Sequence, residues 1–427
     1  MVVHPDLPQN GQATAGAARR HADARLEEAK GLAAAIDLRV AGAEVVRVDR
    51  PQPATLFGRG AVERLGETVL AKAIDVVVVD AAVSPVQQRN LERAWNAKVI
   101  DRTGLILEIF GARARTKEGQ LQVELASLNY QRSRLVRSWT HLERQRGGYG
   151  FLGGPGESQL EIDRRIITDR IASIKRDLAQ VRRTRELHRK ARQRVPYPVI
   201  ALVGYTNAGK STLFNKLTRS EAFAHDMLFA TLDPNMRGLK LPSGQEVILS
   251  DTVGFISDLP THLVAAFRAT LEEVLEADLV LHVRDISHPD SEAQKHDVEN
   301  VLRELGMERT VERGLAEVWN KLDLLDDKRH QFVSAQLARA ERAVGCSALT
   351  GEGVEGVLHF IDGELARARD LLEVDIDLTD GAALSWLYDH GQVLERRDEG
   401  HVAHLKVSLD PADRARFQRR YGDMAAQ

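Results

Sequence analysis

The stretch VIALVGYTNAGKSTLFNKL, residues 199–217, decides the fold of the central part of this chain. An apolar run, a Gly-x-x-x-x-Gly-Lys-Ser pattern and an amphipathic segment follow one another, which predicts a strand, a phosphate-binding loop and a helix. Gly204 and Gly209 would let the backbone approach phosphate groups closely. The amides of residues 206–211, together with the helix N-terminus, would then point at the β-phosphate of a nucleotide.

Three further side chains and one amide predict how a triphosphate and its metal would be held. Lys210 would bridge the β- and γ-phosphate oxygens, and the Ser211 hydroxyl would ligate Mg²⁺. The segment EVILSDTVGF (246–255) predicts a strand ending in Asp-x-x-Gly. Its Asp251 would hold Mg²⁺ through water, and its Gly254 amide would sense the γ-phosphate.

A threonine between these two motifs would complete the metal site. It is Thr231, in the segment FATLDP (229–234). Its role rests on its position, because a threonine in a polar loop is usually only a loop residue. The predicted metal ligands are therefore Ser211, Thr231 and, through water, Asp251.

The segment EVWNKLD (317–323) predicts which base is bound. The Asp323 carboxylate can accept hydrogen bonds from two guanine N–H groups, an arrangement that adenine does not offer. Asn320 would brace the loop, and the stem of Lys321 would lie over the base. The Asn-Lys-x-Asp pattern lies about 110 residues after Gly-Lys-Ser, with Asp-x-x-Gly between them, so it favours GTP over ATP.

A later loop, CSALTGEG (346–353), supplies backbone that would meet the guanine oxygen. Together these motifs predict a GTP site. Its expected residues are Gly204, Tyr205, Thr206, Asn207, Ala208, Gly209, Lys210, Ser211, Thr212, Phe229, Thr231, Asp251, Thr252, Gly254, Asn320, Lys321, Asp323, Ser347 and Ala348.

The residue after the Asp-x-x-Gly glycine indicates slow hydrolysis. Many GTPases have a glutamine there that orients the attacking water, and this chain has Phe255. We expect Lys210, Thr231 and Gly254 to carry catalysis, slowly until a partner orders the loops around them. Asn207 resembles an asparagine with which some glutamine-lacking GTPases hold K⁺, so potassium is a second candidate cofactor.

The rest of the chain predicts a multidomain α/β protein. Alternating strand and helix patterns indicate a small α/β domain, and heptad spacing after it indicates an antiparallel helical hairpin. A P-loop GTPase domain with a mostly parallel sheet and a small α+β domain follow. The expected boundaries are a flexible tail 1–30, an N-terminal domain 31–115, a hairpin 116–195 with a glycine-rich loop 147–158, a GTPase domain 196–366 and a C-terminal domain 367–427.

The charge is unevenly distributed. Residues 131–195 contain 17 Lys/Arg against seven Asp/Glu, a net charge of +10, whereas the whole chain carries −3. Such a basic block suggests contact with a polyanion, although solvated helix faces often have the same composition. The chain has one cysteine and no apolar run of 18 residues, and its first ten residues do not resemble a signal peptide. We therefore expect a cytoplasmic protein without a membrane span, and a monomer.

Several motifs of this sequence resemble those of the HflX family of ribosome-associated GTPases. The resemblance is carried by GYTNAGKSTLFN, LFATLDP, DTVGFI and NKLD, and outside the GTPase domain by residues 84–92, 102–126 and 141–165. It extends over roughly residues 40–365, and the glycine-loop segment is its most specific part.

The resemblance implies binding to the large ribosomal subunit and splitting or rescue of stalled ribosomes, with hydrolysis stimulated by ribosomes. It also implies that the hairpin contacts rRNA. The expected contact residues are Arg144, Arg146, Gly147, Gly148, Gly150, Gly153, Gly154 and Gly156. Some members of the family hydrolyse ATP through the N-terminal region, but this sequence contains no second phosphate loop.

Two alternatives remain. Phe255 also fits a GTP-gated RNA-binding module with negligible turnover. The NAGKS loop also fits a GTPase that serves tRNA modification, although no modification-enzyme motif accompanies it.

Overall fold

The computed structural model describes residues 1–7, 21–145, 159–192, 197–219, 229, 235–257, 273–367, 370–409 and 411–422. Within them lie three separate β-sheets and a pair of long helices. The predicted fold class is confirmed: a P-loop GTPase unit with a mostly parallel sheet follows an α/β unit and a helical hairpin and precedes a small α+β unit.

The N-terminal unit is a four-stranded parallel sheet with strand order β2-β1-β3-β4. Alternating strands and helices produce it, because parallel neighbours need crossover connections. Its elements are β1 (Val2–Asp6), α1 (Ala22–Ala34), β2 (Ala43–Arg47), α2 (Arg59–Ala71), β3 (Val76–Val79), α3 (Pro85–Trp95), β4 (Lys98–Asp101) and α4 (Arg102–Arg113).

The prediction of a flexible tail over residues 1–30 is wrong for residues 1–7 and 21–30, which the structure describes. β1 is an interior strand between β2 and β3, with Val2 and Val3 fully buried, and α1 begins at Ala22. Pro5 obscured this strand in the sequence, because proline donates no amide hydrogen and is unusual in an interior strand. Residues 8–20 lie outside the described parts of the chain.

The hairpin consists of α5 (Lys117–Gln145) and α6 (Gln159–Arg192), which pack side by side. Ile171 and Ile174 are buried, in agreement with the heptad pattern. The guanidinium of Arg170 donates to both carboxylate oxygens of Glu124, at 2.7 and 2.9 Å, and so joins the two helices. The glycine-rich loop lies outside the described residues.

One buried carboxylate fixes α5 to the N-terminal sheet. Asp101 accepts hydrogen bonds from Tyr130 Oη at 2.6 Å and from Arg134 Nη2 at 2.6 Å, both on α5. It also caps α4 by accepting from the Gly104 amide at 2.8 Å. The base of the hairpin is therefore tied to the end of β4.

The GTPase unit is a six-stranded sheet with order β10-β9-β8-β5-β7-β6, in which only β6 is antiparallel. It begins with β5 (Val199–Val203) and α7 (Lys210–Thr218). Its other elements are β6 (Asn235–Lys240), β7 (Glu246–Asp251), β8 (Leu279–Asp285), α8 (Ser291–Glu304), α9 (Glu308–Glu312), β9 (Ala316–Asn320), a 3-10 helix (Leu322–Leu324), α10 (Asp327–Leu337), β10 (Ala343–Gly345) and α11 (Val354–Arg367).

The N-terminal and GTPase units share one hydrophobic core. Leu105, Ile109 and Phe110 of α4 belong to the same buried cluster as Tyr205 and Phe255 of the GTPase unit. Burial of these apolar side chains in a common cluster is the main interaction that joins the two units.

The C-terminal unit is a three-stranded antiparallel sheet with order β11-β13-β12 and two helices packed on one face. Its elements are β11 (Asp370–Asp377), α12 (Gly381–His390), β12 (Gly391–Glu399), β13 (Val402–Leu409) and α13 (Pro411–Tyr421). Across all described helices, none combines the length and the apolar character needed to cross a bilayer.

Candidate functional site

Two glycines shape the loop between β5 and α7. Gly204 has φ +152°, and a Cβ added to it would lie 2.2 Å from the carbonyl oxygen of Val283. Gly209, at the N-terminus of α7, has φ +92°, and its Cβ would lie 2.2 Å from Asn320 Nδ2. Both positions therefore require glycine for conformation and for space.

Lys210 is buried under the loop. Its Nζ donates to the carbonyl oxygens of Gly204 at 3.1 Å and Tyr205 at 2.8 Å. Burial lowers the pKa of this ammonium to about 8, while nearby Asp251 acts in the opposite direction. A phosphate beside Lys210 would favour the charged form and restore a higher pKa.

The predicted metal ligands Ser211 and Asp251 lie together. Ser211 Oγ donates to Asp251 Oδ2 at 2.7 Å, across the junction between α7 and the end of β7. A hydroxyl and a carboxylate at this separation are the oxygen donors that Mg²⁺ prefers, so the residues present fit the ion. The Thr252 hydroxyl donates to the carbonyl oxygen of Leu202 at 2.6 Å and fixes this segment to β5.

The Asp-x-x-Gly segment lies directly against the phosphate loop. Phe255 N donates to Gly204 O at 3.0 Å, and Thr206 N donates to Phe255 O at 2.7 Å. A Cβ on Gly254 would lie 2.9 Å from Thr206 Cα and 3.0 Å from Lys210 Nζ. Because the Thr206 amide is used within the protein, it does not join the phosphate-facing amides as the sequence suggested.

The Phe255 side chain lies in the core. Its ring is 2% exposed and belongs to the core shared by the N-terminal and GTPase units. An apolar ring in that position supplies no hydrogen bond to a water molecule.

Asn320, at the end of β9, joins two of the loops that are expected to surround the nucleotide. Its Nδ2 donates to Ala208 O at 2.8 Å, and its Oδ1 accepts from the Ala348 amide at 2.9 Å. The buried Cys346 thiol also faces Oδ1, at 3.6 Å. Burial, and then the Asp323 carboxylate, raise the pKa of this thiol to about 12.

The remaining base-side residues differ in part from their expected roles. Asp323 is exposed on the 3-10 helix, with its carboxylate accessible to a ligand. Lys321 has φ +68°, and its Nζ is 2.7 Å from Asp285 Oδ2. The Ser347 amide donates to Glu352 O at 2.8 Å, so a guanine oxygen would have to share the Ala348 amide with Asn320.

The other expected residues divide into three groups. Asn207 is exposed with φ +60°, and Thr212 lies in the first turn of α7. Phe229 is buried and packs edge-on against Phe110 of α4, with ring centroids 4.6 Å apart. For Arg144 the structure describes only the helical backbone. The remaining expected residues lie outside the described parts of the chain: Thr231, Arg146, Gly147, Gly148, Gly150, Gly153, Gly154 and Gly156.

Two contacts near the site were not predicted. Asp285, the partner of Lys321, ends β8, and its position at the carboxyl end of an apolar strand was a usable signal in the sequence. Tyr205 Oη donates to Glu28 Oε2 of α1 at 2.5 Å. These two residues are 177 positions apart, so nothing local in the sequence indicated the pair.

Models of known families match nearly the whole chain. Residues 23–111 match the family model of the GTP-binding GTPase N-terminal region. Residues 113–192 match the model of the GTP-binding GTPase middle region. Residues 199–321 match the 50S ribosome-binding GTPase family, and residues 333–427 match the HflX C-terminal domain.

Two known sequences agree with these models. GTPase HflX of Magnetococcus marinus is 52% identical over 92% of this chain and 90% of its own length. GTPase HflX of Escherichia coli is 46% identical over 77% of this chain and 78% of its own length. A crystal structure of a Sulfolobus solfataricus GTP-binding protein with GDP aligns with 80% of this chain and 95% of its own, at 22% identity and a TM-score of 0.41. On the family models and the two HflX sequences, this chain belongs to the HflX family and is a GTP-binding GTPase.

Proposed function

We propose that this GTPase binds the large ribosomal subunit and uses its nucleotide cycle to split or rescue stalled ribosomes. The observation that carries the proposal is the attachment of a strongly basic hairpin to the N-terminal unit, which shares a hydrophobic core with the nucleotide-binding unit. Residues 131–195 have a net charge of +10, and the hairpin base is tied through Asp101 to the sheet that adjoins α4. The match of residues 199–321 to the 50S ribosome-binding GTPase family supports the same partner.

Electrostatics and shape support rRNA as the contact. Arginines along α5 and α6 can neutralise phosphates, and guanidinium groups suit phosphate geometry better than ammonium groups do. The glycine-rich loop 147–158, with six glycines in twelve residues, would fit where side chains cannot enter.

The nucleotide site would act through positioning and charge. Lys210 would neutralise the β- and γ-phosphates, the Gly254 amide would contact the γ-phosphate, and Asp323 would select guanine. A bound Mg²⁺, held by Ser211, Thr231 and Asp251 through water, would offset phosphate charge. Asn207 would hold K⁺ beside the phosphates, and equal turnover in sodium and potassium buffers would contradict that assignment.

Hydrolysis would be slow in the free protein and faster on the ribosome. Phe255 lies in the core and offers nothing to a water molecule, so the missing orientation has to come from loops ordered by a partner. A stimulation of about 10³-fold corresponds to about 4 kcal/mol of barrier lowering. We assign this activity to a monomer in the cytoplasm.

A deletion of residues 147–158 tests the role of the hairpin. We expect GTP affinity to stay within about twofold of wild type, because the loop is remote in sequence from every nucleotide-binding motif. Cosedimentation with large subunits under a non-hydrolysable GTP analogue, and the splitting of ribosomes, should both be lost.

Replacing the loop with a Gly-Ser linker of equal length is the matched control for helix geometry. Splitting at the wild-type rate by both loop variants would contradict the proposal. Sedimentation under GTP, GDP and the analogue also identifies the nucleotide state that binds.

The second candidate is a GTP-gated RNA-binding module with negligible turnover, and the buried Phe255 is the observation that favours it. Phosphate release with and without large subunits separates the two functions. Stimulation by large subunits supports the ribosome-activated enzyme, whereas no stimulation favours the module.

A further inference from the structure

One helix of the N-terminal unit contacts both segments that flank the phosphate site. Arg102, the first residue of α4, donates from Nη2 to Ser257 O at 3.2 Å and to Ser257 Oγ at 3.0 Å. Ser257 lies three residues after Gly254. Two turns further along α4, Phe110 packs against Phe229, which lies two residues before Thr231. Helix α4 therefore touches the surroundings of both residues that are expected to contact the γ-phosphate and its metal.

Tyr205 contacts the same serine from the phosphate loop. Its hydroxyl accepts from the Ser257 amide at 2.9 Å and donates to Glu28 Oε2 at 2.5 Å. The other oxygen of Glu28 pairs with Arg102. Ser257 is thus bound at its amide, its carbonyl oxygen and its side chain by two residues that are themselves linked through Glu28.

Further buried groups fix Arg102. It is 3% exposed, and its Nη1 pairs with Asp80, whose other oxygen is 2.8 Å from His4 Nδ1. Burial alone would lower the pKa of Arg102, but Glu28 and Asp80 raise it above its usual value. The guanidinium is therefore a permanent cation whose orientation is set by two carboxylates.

The backbone between Gly254 and Ser257 has little room to adjust. Phe255 is bonded to the phosphate loop through both its amide and its carbonyl oxygen, and Gly254 has no space for a side chain next to Thr206. A shift of Ser257 would therefore displace the Gly254 amide relative to Lys210.

We propose that Arg102 and Tyr205 are positioning residues for GTP hydrolysis. By holding Ser257 they fix the Gly254 amide for the γ-phosphate. In this chain preorganised backbone substitutes for part of what a glutamine side chain does elsewhere. Tyr205 was expected in the GTP site, but its hydroxyl is engaged by Glu28 and Ser257. The Arg102 guanidinium is likewise engaged within the protein. We therefore expect these two polar groups to contribute to the rate and not to the affinity.

The variant Tyr205→Phe tests this proposal, because it removes only the hydroxyl and keeps the ring in the core. We expect kcat in single-turnover hydrolysis to fall by between about 10- and 100-fold, since small misplacements of catalytic groups have effects of this size. The KM for GTP and the Kd for GDP should stay within about twofold of wild type, because the loss concerns the transition state.

Tyr130→Phe is the matched control. It also removes a tyrosine hydroxyl that donates to a carboxylate of the N-terminal unit, that of Asp101 at 2.6 Å, but on the hairpin side. It should keep the wild-type kcat while changing the urea midpoint by an amount similar to that of Tyr205→Phe.

Arg102→Lys provides a second, independent arm. It keeps the charge between Glu28 and Asp80 but loses the guanidinium fork, in which Nη1 bonds to Asp80 while Nη2 bonds to Ser257. Combined with Tyr205→Phe, it should lower kcat little further than the more severe single variant, because both residues act at one point.

Three results would overturn the proposal. They are an unchanged or increased kcat in Tyr205→Phe, a fall in GDP affinity equal to the fall in kcat, and fully multiplicative effects in the double variant.

Discussion

Asn320 joins two loops with a single side-chain amide. One end of that amide bonds to the phosphate loop at Ala208, and the other accepts from the Ala348 amide. A side chain on Gly209 would collide with the same amide, so Gly209 and Asn320 depend on each other. The base-binding side of the site is therefore fixed by a small number of groups whose replacement has specific consequences.

Asp323→Asn should exchange the preferred base from guanine to xanthine. In the proposed site the carboxylate would make two hydrogen bonds to guanine, each worth about 1.5–3 kcal/mol because one partner is charged, so GTP affinity should fall by roughly 100-fold or more. Competition between GTP and XTP for a fluorescent nucleotide measures the exchange. Since Asp323 is exposed, the urea unfolding midpoint should stay the same. Retention of guanine preference by the variant would contradict the assignment.

Lys210 should make nucleotide binding dependent on pH above neutrality. Its pKa is lowered to about 8 by burial, so the free protein loses this charge as the pH rises through 8. Bound phosphates favour the ammonium form, so binding then takes up a proton and the Kd for GDP should rise about fivefold between pH 8 and pH 9. Calorimetry in two buffers of different ionisation enthalpy measures the proton uptake, and its absence at pH 8.5 would rule out this account.

At the scale of elements, the segment from Gly254 to Ser257 belongs to two units at once. Its backbone pairs with the phosphate loop, and its Phe255 ring packs into the core that includes α4. A residue that would be a catalytic side chain in many GTPases is here a packing residue between the N-terminal and GTPase units.

Phe255→Gln should therefore not restore fast hydrolysis. The amide would enter an apolar core, and the lost burial together with the buried polar group should lower the free energy of unfolding by about 3 kcal/mol. Phosphate release should not rise above that of wild type. Phe332→Gln is the control, because Phe332 is 64% exposed on α10 and its replacement should change stability by less than about 0.5 kcal/mol. A faster Phe255→Gln variant would mean that position 255 reaches the nucleotide.

The elements that could be predicted from the sequence are those whose signals are local. The strand, loop and helix of residues 199–217 contain their own glycines and apolar residues, and the Ser84 cap of α3 lies beside its helix. β1 was missed because its pairing partners lie 41 and 76 residues further along and its Pro5 argued against a strand. The sequence of β12, GQVLERRDE, does not indicate a strand, because five of its nine residues are charged.

The site divides in the same way. The spacing of its motifs predicted these residues, and the structure places those that it describes at the carboxyl ends of β5, β7, β9 and β10 or in the segments that follow. Their contacts with a nucleotide stay a prediction. The contacts that support them, Asp285 with Lys321 and Glu28 with Tyr205, depend on strand order and on the packing of two units. Neither is encoded in a short pattern.

For the whole molecule, the separation of charge matters most. Residues 131–195 carry +10, and since the chain carries −3 the remainder carries −13. A polyanion would be attracted by the basic residues 131–195 and repelled by the acidic remainder of the chain, so it would bind at residues 131–195.

Ribosome binding should therefore weaken steeply with salt. Each phosphate contact releases counterions, and six to ten such contacts reduce the affinity by about 10³-fold or more between 50 and 200 mM salt. GTP affinity, measured in the same buffers with constant Mg²⁺, should change by less than about tenfold, since fixed groups of the site would surround the nucleotide charge and limit its screening. A shallow salt dependence of cosedimentation would indicate that the hairpin is not the main contact.

The buried position of the single cysteine allows other sites of this protein to be labelled selectively. Cys346 is fully buried, and its thiol has a pKa of about 12, so it is almost entirely uncharged and shielded from maleimide dyes at neutral pH. Cysteines introduced at the exposed Thr168 of the hairpin and Ser334 of the GTPase unit would be labelled without first removing the native residue. Fluorescence transfer between them would then report, on intact protein, how far the hairpin moves as GTP is bound and hydrolysed.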